Sequence, residues 1–364
     1  MQHDRHYNYQ NSSVDLKSYF VQHTQRNNGG LPGRITKMTV AVTGAAGHVG
    51  GNLVRALLKD GRKVRVLIRE DSRAIEGLDV EVHKGNIFDP QSLASLFDGC
   101  ESVFHLAAMI SITGDRDGMV HKTNVEGVNN VVNACLESGV KRLVHFSSIH
   151  AMSPDPEEEP ICEQRDLTGE NALIAYDRSK AMGEREIQAG VKKGLDAVTV
   201  NPTAVIGPND FKPSRVGDVI IMLCNRTMPA LVDGGFNWVD VRDVVKGALS
   251  AEKKGKTGER YLLSGTWAHI RDFASIVEEI SGVRKPAMCT PMWLAHIGAP
   301  FVGAYCALAG KRPLYTHESL RTLCHHRHIT NEKARAELGY NPRPLKETIS
   351  DTIDWFRDHG MIMN

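Results

Sequence analysis

The strand-like run MTVAV ends at Thr43 in the glycine turn of TGAAGHVG, and the turn opens onto HVGGNLVRALLKDG. That last stretch has helical period and a closing glycine, Gly61. Few architectures accept a strand, a three-glycine turn and a helix in such close order. Gly44 allows the tight turn, Gly47 lets backbone approach a pyrophosphate, and Gly50 lets helix and sheet pack closely. An anion placed there meets free N–H groups and the positive end of a helix dipole. A plain glycine-rich turn is the competing reading, and the strand before it and helix after it weigh against that.

The same alternation continues. KVRVLIR, DVEVHKGN, SVFHLAA and RLVHFSS read as short buried strands, with helices at DPQSLASLFDG and MVHKTNVEGVNNVVNACLESG. Strands of this kind alternating with helices predict an α/β fold with a doubly wound parallel sheet, covered on both faces. DAVTVNPTAVIGP reads as one further strand, 209–235 as a looser segment, VDVRDVVKGALSAEKKG as a helix and GERYLLSG as a strand. The remainder is mostly helical. Residues 38–208 and 236–266 are therefore expected to form a nucleotide-binding domain, and 209–235 and 267–364 a smaller, mostly helical substrate lobe. Residues 1–37 have no period and read as a disordered tail. Met38 as an internal start, or a transit peptide, are alternatives there.

Charge narrows the partners. Lys+Arg total 44 against Asp+Glu 43, so no net field favours nucleic acid or an anionic membrane. The seven cysteines are scattered without a C-x-x-C pair, which suits reduced thiols in the cytoplasm. CHHRH (324–328) lacks a structured ligand spacing, and no metal is expected. PMWLAHIGAPFVGAYCALAG (291–310) has no charged residue over a membrane-spanning length, but Pro300 and His296 interrupt it. A helix pair lining an apolar pocket is the preferred reading, and membrane contact is not expected.

AYDRSKAMGE (175–184) places Tyr176 and Lys180 four apart, on one helix face. With T-G-x-x-G-x-x-G after the first strand, HLAA at the fourth and serine at the end of the fifth, the chain resembles the extended short-chain dehydrogenase/reductases. Within them it is most similar to the dihydroflavonol-reductase-like, NAD-dependent epimerase/dehydratase branch. TNVEGVNN, NPTAVIGP, WVDVRDV, GERYLLSG and ARAELGYNPRP carry the likeness across residues 38–360. It implies a Rossmann-type fold and a catalytic set of Ser148, Tyr176 and Lys180, with Asn124 as a supporting group; Ser147 is the alternative serine, and an amide making only local bonds the alternative for Asn124. It also places Gly44, Ala46, Gly47, His48 and Val49 around a pyrophosphate, and Asn86 and Ile87 near adenine. Ala107 and Ala108 would flank the nicotinamide ribose, and Pro202, Thr203 and Val205 the ring, with Tyr176 and Lys180 also touching the cofactor. An acid usually stands where this chain has Asn86.

At the end of the second strand, Arg69 suits a 2′-phosphate and favours NADP, while Glu70 and Asp71 keep NAD in play. In reduction Tyr176 would give its proton to the developing alkoxide, and in oxidation remove one. A free phenol titrates near 10, and lowering that by about three units takes roughly 4 kcal/mol, which Lys180 and an oxidised nicotinamide would supply. Ser148 would orient the substrate oxygen. His150 either touches substrate or is structural, and His105 is more at home packed in its strand.

The implied reaction is hydride transfer to or from a ketone or secondary alcohol on a fairly apolar small molecule, as in dihydroflavonol reductases or hydroxysteroid dehydrogenases. A nucleotide-sugar epimerase/dehydratase is the alternative, and Asn201 resembles the pattern in some of those. Such enzymes generally carry a diphosphate-gripping arginine where this chain has Phe236 or Asn237; Arg215 or Lys212 could substitute. A non-catalytic dinucleotide-sensing protein is the alternative of another class. The resemblance further implies a homodimer built through cofactor-domain helices, including the one bearing Tyr176.

Overall fold

A computed structural model describes residues 38–308, 315–323 and 328–363. The tail reading for 1–37, and all of CHHRH but His328, lie outside the described residues. Seven strands form a parallel sheet: Thr39–Thr43 (β1), Lys63–Ile68 (β2), Glu81–Lys84 (β3), Ser102–His105 (β4), Arg142–Phe146 (β5), Ala197–Pro202 (β6) and, later in the chain, Arg260–Leu263. The five apolar-rich strands at its centre are buried almost throughout because helices cover both faces. The edge strand β3 is short and carries Glu81, His83 and Lys84, which discourages further pairing.

The first helices are His48–Lys59 (α1) and Pro90–Phe97 (α2), the latter capped by the Asp89 side chain. Met119–His121 (α3), a π-turn at Lys122–Glu126 and Gly127–Glu137 (α4) then run on without a break. Ala175–Lys192 (α5) packs against this composite helix, and two glycines let it approach closely. A Cβ on Gly183 would lie 2.4 Å from the Asn124 carbonyl oxygen, and one on Gly190 would lie 2.6 Å from Val132.

The segment DAVTVNPTAVIGP is two strands, not one. After β6, Ala204–Ile206 (β7) leaves the main sheet and pairs with Gly235–Asp240, numbered β9 because the two-residue strand Leu231–Val232 (β8) precedes it. Pro202 has no N–H to continue a ladder, and the Thr203 hydroxyl turns to the Asn237 side chain at 3.0 Å. The 209–235 segment is also more regular than expected: Arg215–Cys224 (α6) begins at a Ser214 cap. Next come Val241–Lys254 (α7), the seventh main-sheet strand Arg260–Leu263 (β10), Thr266–His269 (β11), Ile270–Ser281 (α8) and Cys289–Thr290 (β12).

The apolar 291–310 segment departs from the expected helix pair. Met292–Leu308 (α9) is a single helix with Pro300 inside it. Its Met292, Ala295 and Ala299 face the protein, while Trp293, Ile297 and Phe301 on the opposite side are 65%, 57% and 74% exposed. That side is an exposed apolar ridge, not a pocket lining. Among the described residues no helix is long and apolar enough to cross a membrane.

His317–Thr322 (α10) and Leu345–Asp358 (α11) complete the chain. A second apolar core, separate from the sheet's, joins α6, α8, α9, α10 and α11. Ala334, Leu338 and Tyr340 nevertheless pack into the sheet's core, so the two expected parts interleave near the C-terminus.

Candidate active site

The main sheet runs in the order β10-β6-β5-β4-β1-β2-β3, so successive strands leave β1 in opposite directions. The strand ends on either side of that reversal flank a crevice. The glycine turn fills the β1 side. Gly44 has φ of +75°, and a Cβ there would lie 2.6 Å from the Ala107 nitrogen, in the segment leaving β4. A Cβ on Gly50 would lie 2.2 Å from the Gly44 carbonyl oxygen. Both glycines are thus demanded by the protein's own backbone.

Gly47 is different. It is exposed, and the nearest atom to a Cβ there is 3.4 Å away, an ordinary contact. Helix α1 has no side-chain cap and no acid in its first turn, which leaves amide donors at its mouth. His48 reaches the other way, with Nε2 3.0 Å from the Pro208 carbonyl oxygen, and Asn52 donates to that same oxygen at 3.0 Å. The turn is thereby pinned to the loop after β7.

Across the crevice, Ser148 follows β5 and α5 brings Tyr176 and Lys180 to it. The Ser148 side chain lies close enough to the Tyr176 phenol to pull its proton affinity down. Neighbouring Ser147 is 5% exposed and its hydroxyl has no hydrogen-bond partner among the described residues, whereas the Ser148 side chain lies by Tyr176. Lys180, 4% exposed, donates from Nζ to the Phe146 carbonyl at 3.0 Å. Asn124 sits in the π-turn and is fully engaged over long range. It accepts from Met109 N at 2.8 Å and donates to Met109 O and Ser179 Oγ, both at 2.9 Å. Its side chain thus bridges the segment after β4 and the turn of α5 that holds Tyr176, which is more than local bonding.

Burial sets the proton affinities. It pushes the Tyr176 phenol well above its ordinary value of 10, with the Ser148 side chain pulling the other way and Asp177 adding to the rise. The ligand-free phenol is therefore a neutral acid. Burial also brings Lys180 from 10.5 down to about 8, opposed by the charge of Glu184. The folded chain therefore loses this proton near pH 8 while the unfolded chain keeps it to 10.5, so the folded state gains stability as pH rises between the two. Denaturant unfolding at pH 8 and 9.5 should show wild type gaining about 2 kcal/mol relative to Lys180→Met over that interval. A constant difference would show that Lys180 is not the group that titrates.

Residues 40–264 match the model of the NAD dependent epimerase/dehydratase family. The chain belongs to the NAD-dependent epimerase/dehydratase family. It is 36% identical to "Sterol demethylase protein B" of Methylococcus capsulatus, over 89% of this chain and all of that one. It is 32% identical to a "Putative dihydroflavonol 4-reductase" of Synechocystis, over 88% and 95%. The crystal structure of gox2253 superposes with a TM-score of 0.78 at 33% identity, covering 89% of this chain and 99% of that one. This family member is an enzyme of the extended short-chain dehydrogenase/reductase type, with an NAD(P)-class cofactor.

In this family member, some expected cofactor positions line the crevice and others are spoken for. Ala107 is half-buried beside Gly44 and Ala108 is exposed. Ala46 and Val49 pack their side chains toward the sheet core. Ile87 is itself a core residue, and Asn86 spends its carbonyl oxygen on the Phe88 N–H at 2.7 Å, closing its own turn. Pro202 and Thr203 are buried at the β6–β7 break, and Val205 is partly buried against the sheet core. Asn201, 0% exposed, donates from its amide nitrogen to Ser148 O and Glu184. Asn237 likewise serves Thr203 and the Gly265 N–H.

Two groupings had no local sequence signal. His105 and His145 stack at 5.5 Å between neighbouring strands, and burial keeps both neutral, His105 down to about 3. His105 also meets Thr43 Oγ1 at 2.7 Å, a packed role as its strand position suggested. His150 Nδ1 lies 3.1 Å from Asp177 Oδ1, and its ring stands edge-on to Tyr176 at 5.6 Å.

Proposed function

We propose that this enzyme transfers a hydride between NADP(H) and a ketone or secondary alcohol on an apolar small molecule. The observation that carries the reading is helix α5 bringing Tyr176 against the Ser148 side chain, with Lys180 of the same helix buried on the Phe146 carbonyl. Gly47 supports the cofactor half: no protein contact requires a glycine there, and an incoming pyrophosphate would. Gly44, Ala46, Gly47, His48 and Val49 would hold the phosphates through main-chain amides, with Ala107, Ala108, Pro202, Thr203 and Val205 around the nicotinamide half. When bound, the dinucleotide supplies or receives the hydride. Ser148 then holds the substrate oxygen, and Tyr176 delivers a proton to it in reduction, for which the raised proton affinity is suited. The names of the two relatives, one concerned with sterol demethylation and one with dihydroflavonol reduction, support an apolar substrate. Phe236 and Asn237, where a diphosphate-gripping arginine would stand, weigh against a nucleotide sugar.

NADP is preferred because the acids after β2 are not both available. Arg73 grips Asp71 with contacts of 3.0 and 2.7 Å and holds that carboxyl down at about 2. Arg69 is exposed with no ion-pair partner among the described residues. Arg69→Ala should lower the NADPH-over-NADH preference about ten- to a hundredfold, the value of one charged phosphate contact. Equal losses for both cofactors would remove the assignment. A cytoplasmic homodimer completes the proposal, and its mass in solution checks the dimer. The deciding experiment incubates the protein with NADPH or NADH against steroids, flavanonols, aldehydes and nucleotide sugars. Turnover of nucleotide sugars alone, without net cofactor consumption, would replace this reading by epimerisation.

A further inference from the structure

Helix α5 carries a buried carboxylate one turn beyond Lys180. Glu184 is only 2% exposed. Its Oε2 lies 3.3 Å from Arg260 Nε on β10, and its Oε1 accepts a hydrogen bond from Asn201 Nδ2 on β6. The same Asn201 nitrogen donates to the Ser148 main-chain oxygen at 3.0 Å. Burying a carboxylate costs several kcal/mol unless it is well paired. On its own helix the residues three positions to either side, Ala181 and Ile187, are apolar and buried, so the carboxylate sits in a largely buried stretch of α5.

The three partners give the carboxylate its meaning. Asn201 ties it to the backbone of Ser148, and helical spacing stacks it one turn from Lys180. These are the two residues that flank Tyr176. The other ionisable groups facing Lys180 do not substitute for it. His105 on β4 and His145 on β5 are buried and neutral, so neither supplies a countercharge. His150, in the turn after Ser148, lies against Asp177 on α5. His121, Lys122 and Glu126, from the segment packed on α5, are exposed. Arg260 lies on the far side of the carboxylate as its counter-charge.

We propose that Glu184 is a positioning residue of this site, fixing the Ser148 main chain through Asn201 and holding the buried Lys180 in its ammonium form. The inference rests on the reading that Tyr176 and Lys180 carry the proton transfer. Burial alone drives Lys180 toward the neutral amine, and Glu184 is the charge that resists it.

Two readouts test it. The first is the pH profile of kcat/KM for reduction. Its alkaline limb should move to lower pH by about one pH unit in Glu184→Gln, a loss of about fivefold at pH 8. Glu184→Asp, which restores the charge, should return the limb. Asn201→Ala keeps the charge and loses the tether, so kcat should fall with the limb unmoved. The second readout follows the Lys180 side-chain nitrogen by NMR in the cofactor-free protein, where the Glu184→Gln midpoint should also fall. Arg260→Gln removes a cation and should move both readouts the opposite way; it serves if Glu184→Gln does not fold. Lower activity with neither the limb nor the NMR midpoint displaced would reduce Glu184 to a structural role and overturn the proposal. Wild-type protein that titrates as described yet turns over no substrate would sink the oxidoreductase reading and leave the Glu184–Lys180 coupling standing.

Discussion

Tyr176→Phe should lower kcat by roughly 10²–10⁴-fold, the usual share of a positioned acid, while leaving the fold and dinucleotide affinity nearly intact. The substitution removes one oxygen. That oxygen lies beside the Ser148 side chain. The Ser148 hydroxyl keeps its contact to the His150 N–H at 3.3 Å, so the stability change should stay within about 1 kcal/mol. Steady-state turnover, dinucleotide titration by fluorescence and a melting curve separate the three quantities. A variant that kept more than a tenth of wild-type turnover would remove Tyr176 from the chemistry. Dinucleotide binding by wild type and variant alike, with turnover by neither, would favour the sensing protein instead.

The direction of this site follows from its electrostatics. In the ligand-free chain burial keeps the phenol neutral. Giving a proton to an alkoxide needs no further help, whereas removing one from an alcohol needs a phenolate. Oxidation therefore depends on positive charge arriving with the oxidised cofactor, and reduction does not. The pH dependence of the two directions should differ accordingly, with oxidation rising further into the alkaline range.

The parallel core was legible because strands buried on both faces appear as short, continuous apolar runs between helical stretches, as at TVAVT and RLVHF. That same continuity hid the break at Pro202. NPTAVI is apolar on both sides of it, and no periodicity records a change of partner from β10 to β9. Helix α6 was hidden by its short length in a segment framed by proline and glycine, although Ser214 is an ordinary cap signal. Helix α9 runs through Pro300, which a sequence reading takes as a boundary. At the site, Tyr176, Lys180 and Ser148 were readable from motif and order. Glu184 and Arg260 were not, and Asn201 was read only for its likeness to sugar epimerases, since the contacts that unite the three span 17 and 76 positions and leave no local trace.

The glycine turn offers the sharpest separation of fold from function. In Gly50→Ala the new methyl would sit 2.2 Å from the Gly44 carbonyl oxygen and 2.8 Å from the Ala45 Cα. Both neighbours are main chain, so the first turn of α1 must shift against β1. Helix α1 buries Leu53, Val54 and Leu57 in the sheet core, and moving it disturbs that packing. A loss of about 3 kcal/mol or more is expected, a large fraction of the stability of a typical domain. Gly47→Ala meets nothing closer than 3.4 Å and should melt within a few degrees of wild type. Its methyl would instead occupy the approach to the free amides of α1, and dinucleotide affinity should drop at least about tenfold. Paired melting and binding measurements on the two variants carry the test. If Gly47→Ala bound NADPH as wild type does, the pyrophosphate would have to lie elsewhere; if Gly50→Ala melted normally, the close packing of α1 on the β1 turn would be wrong.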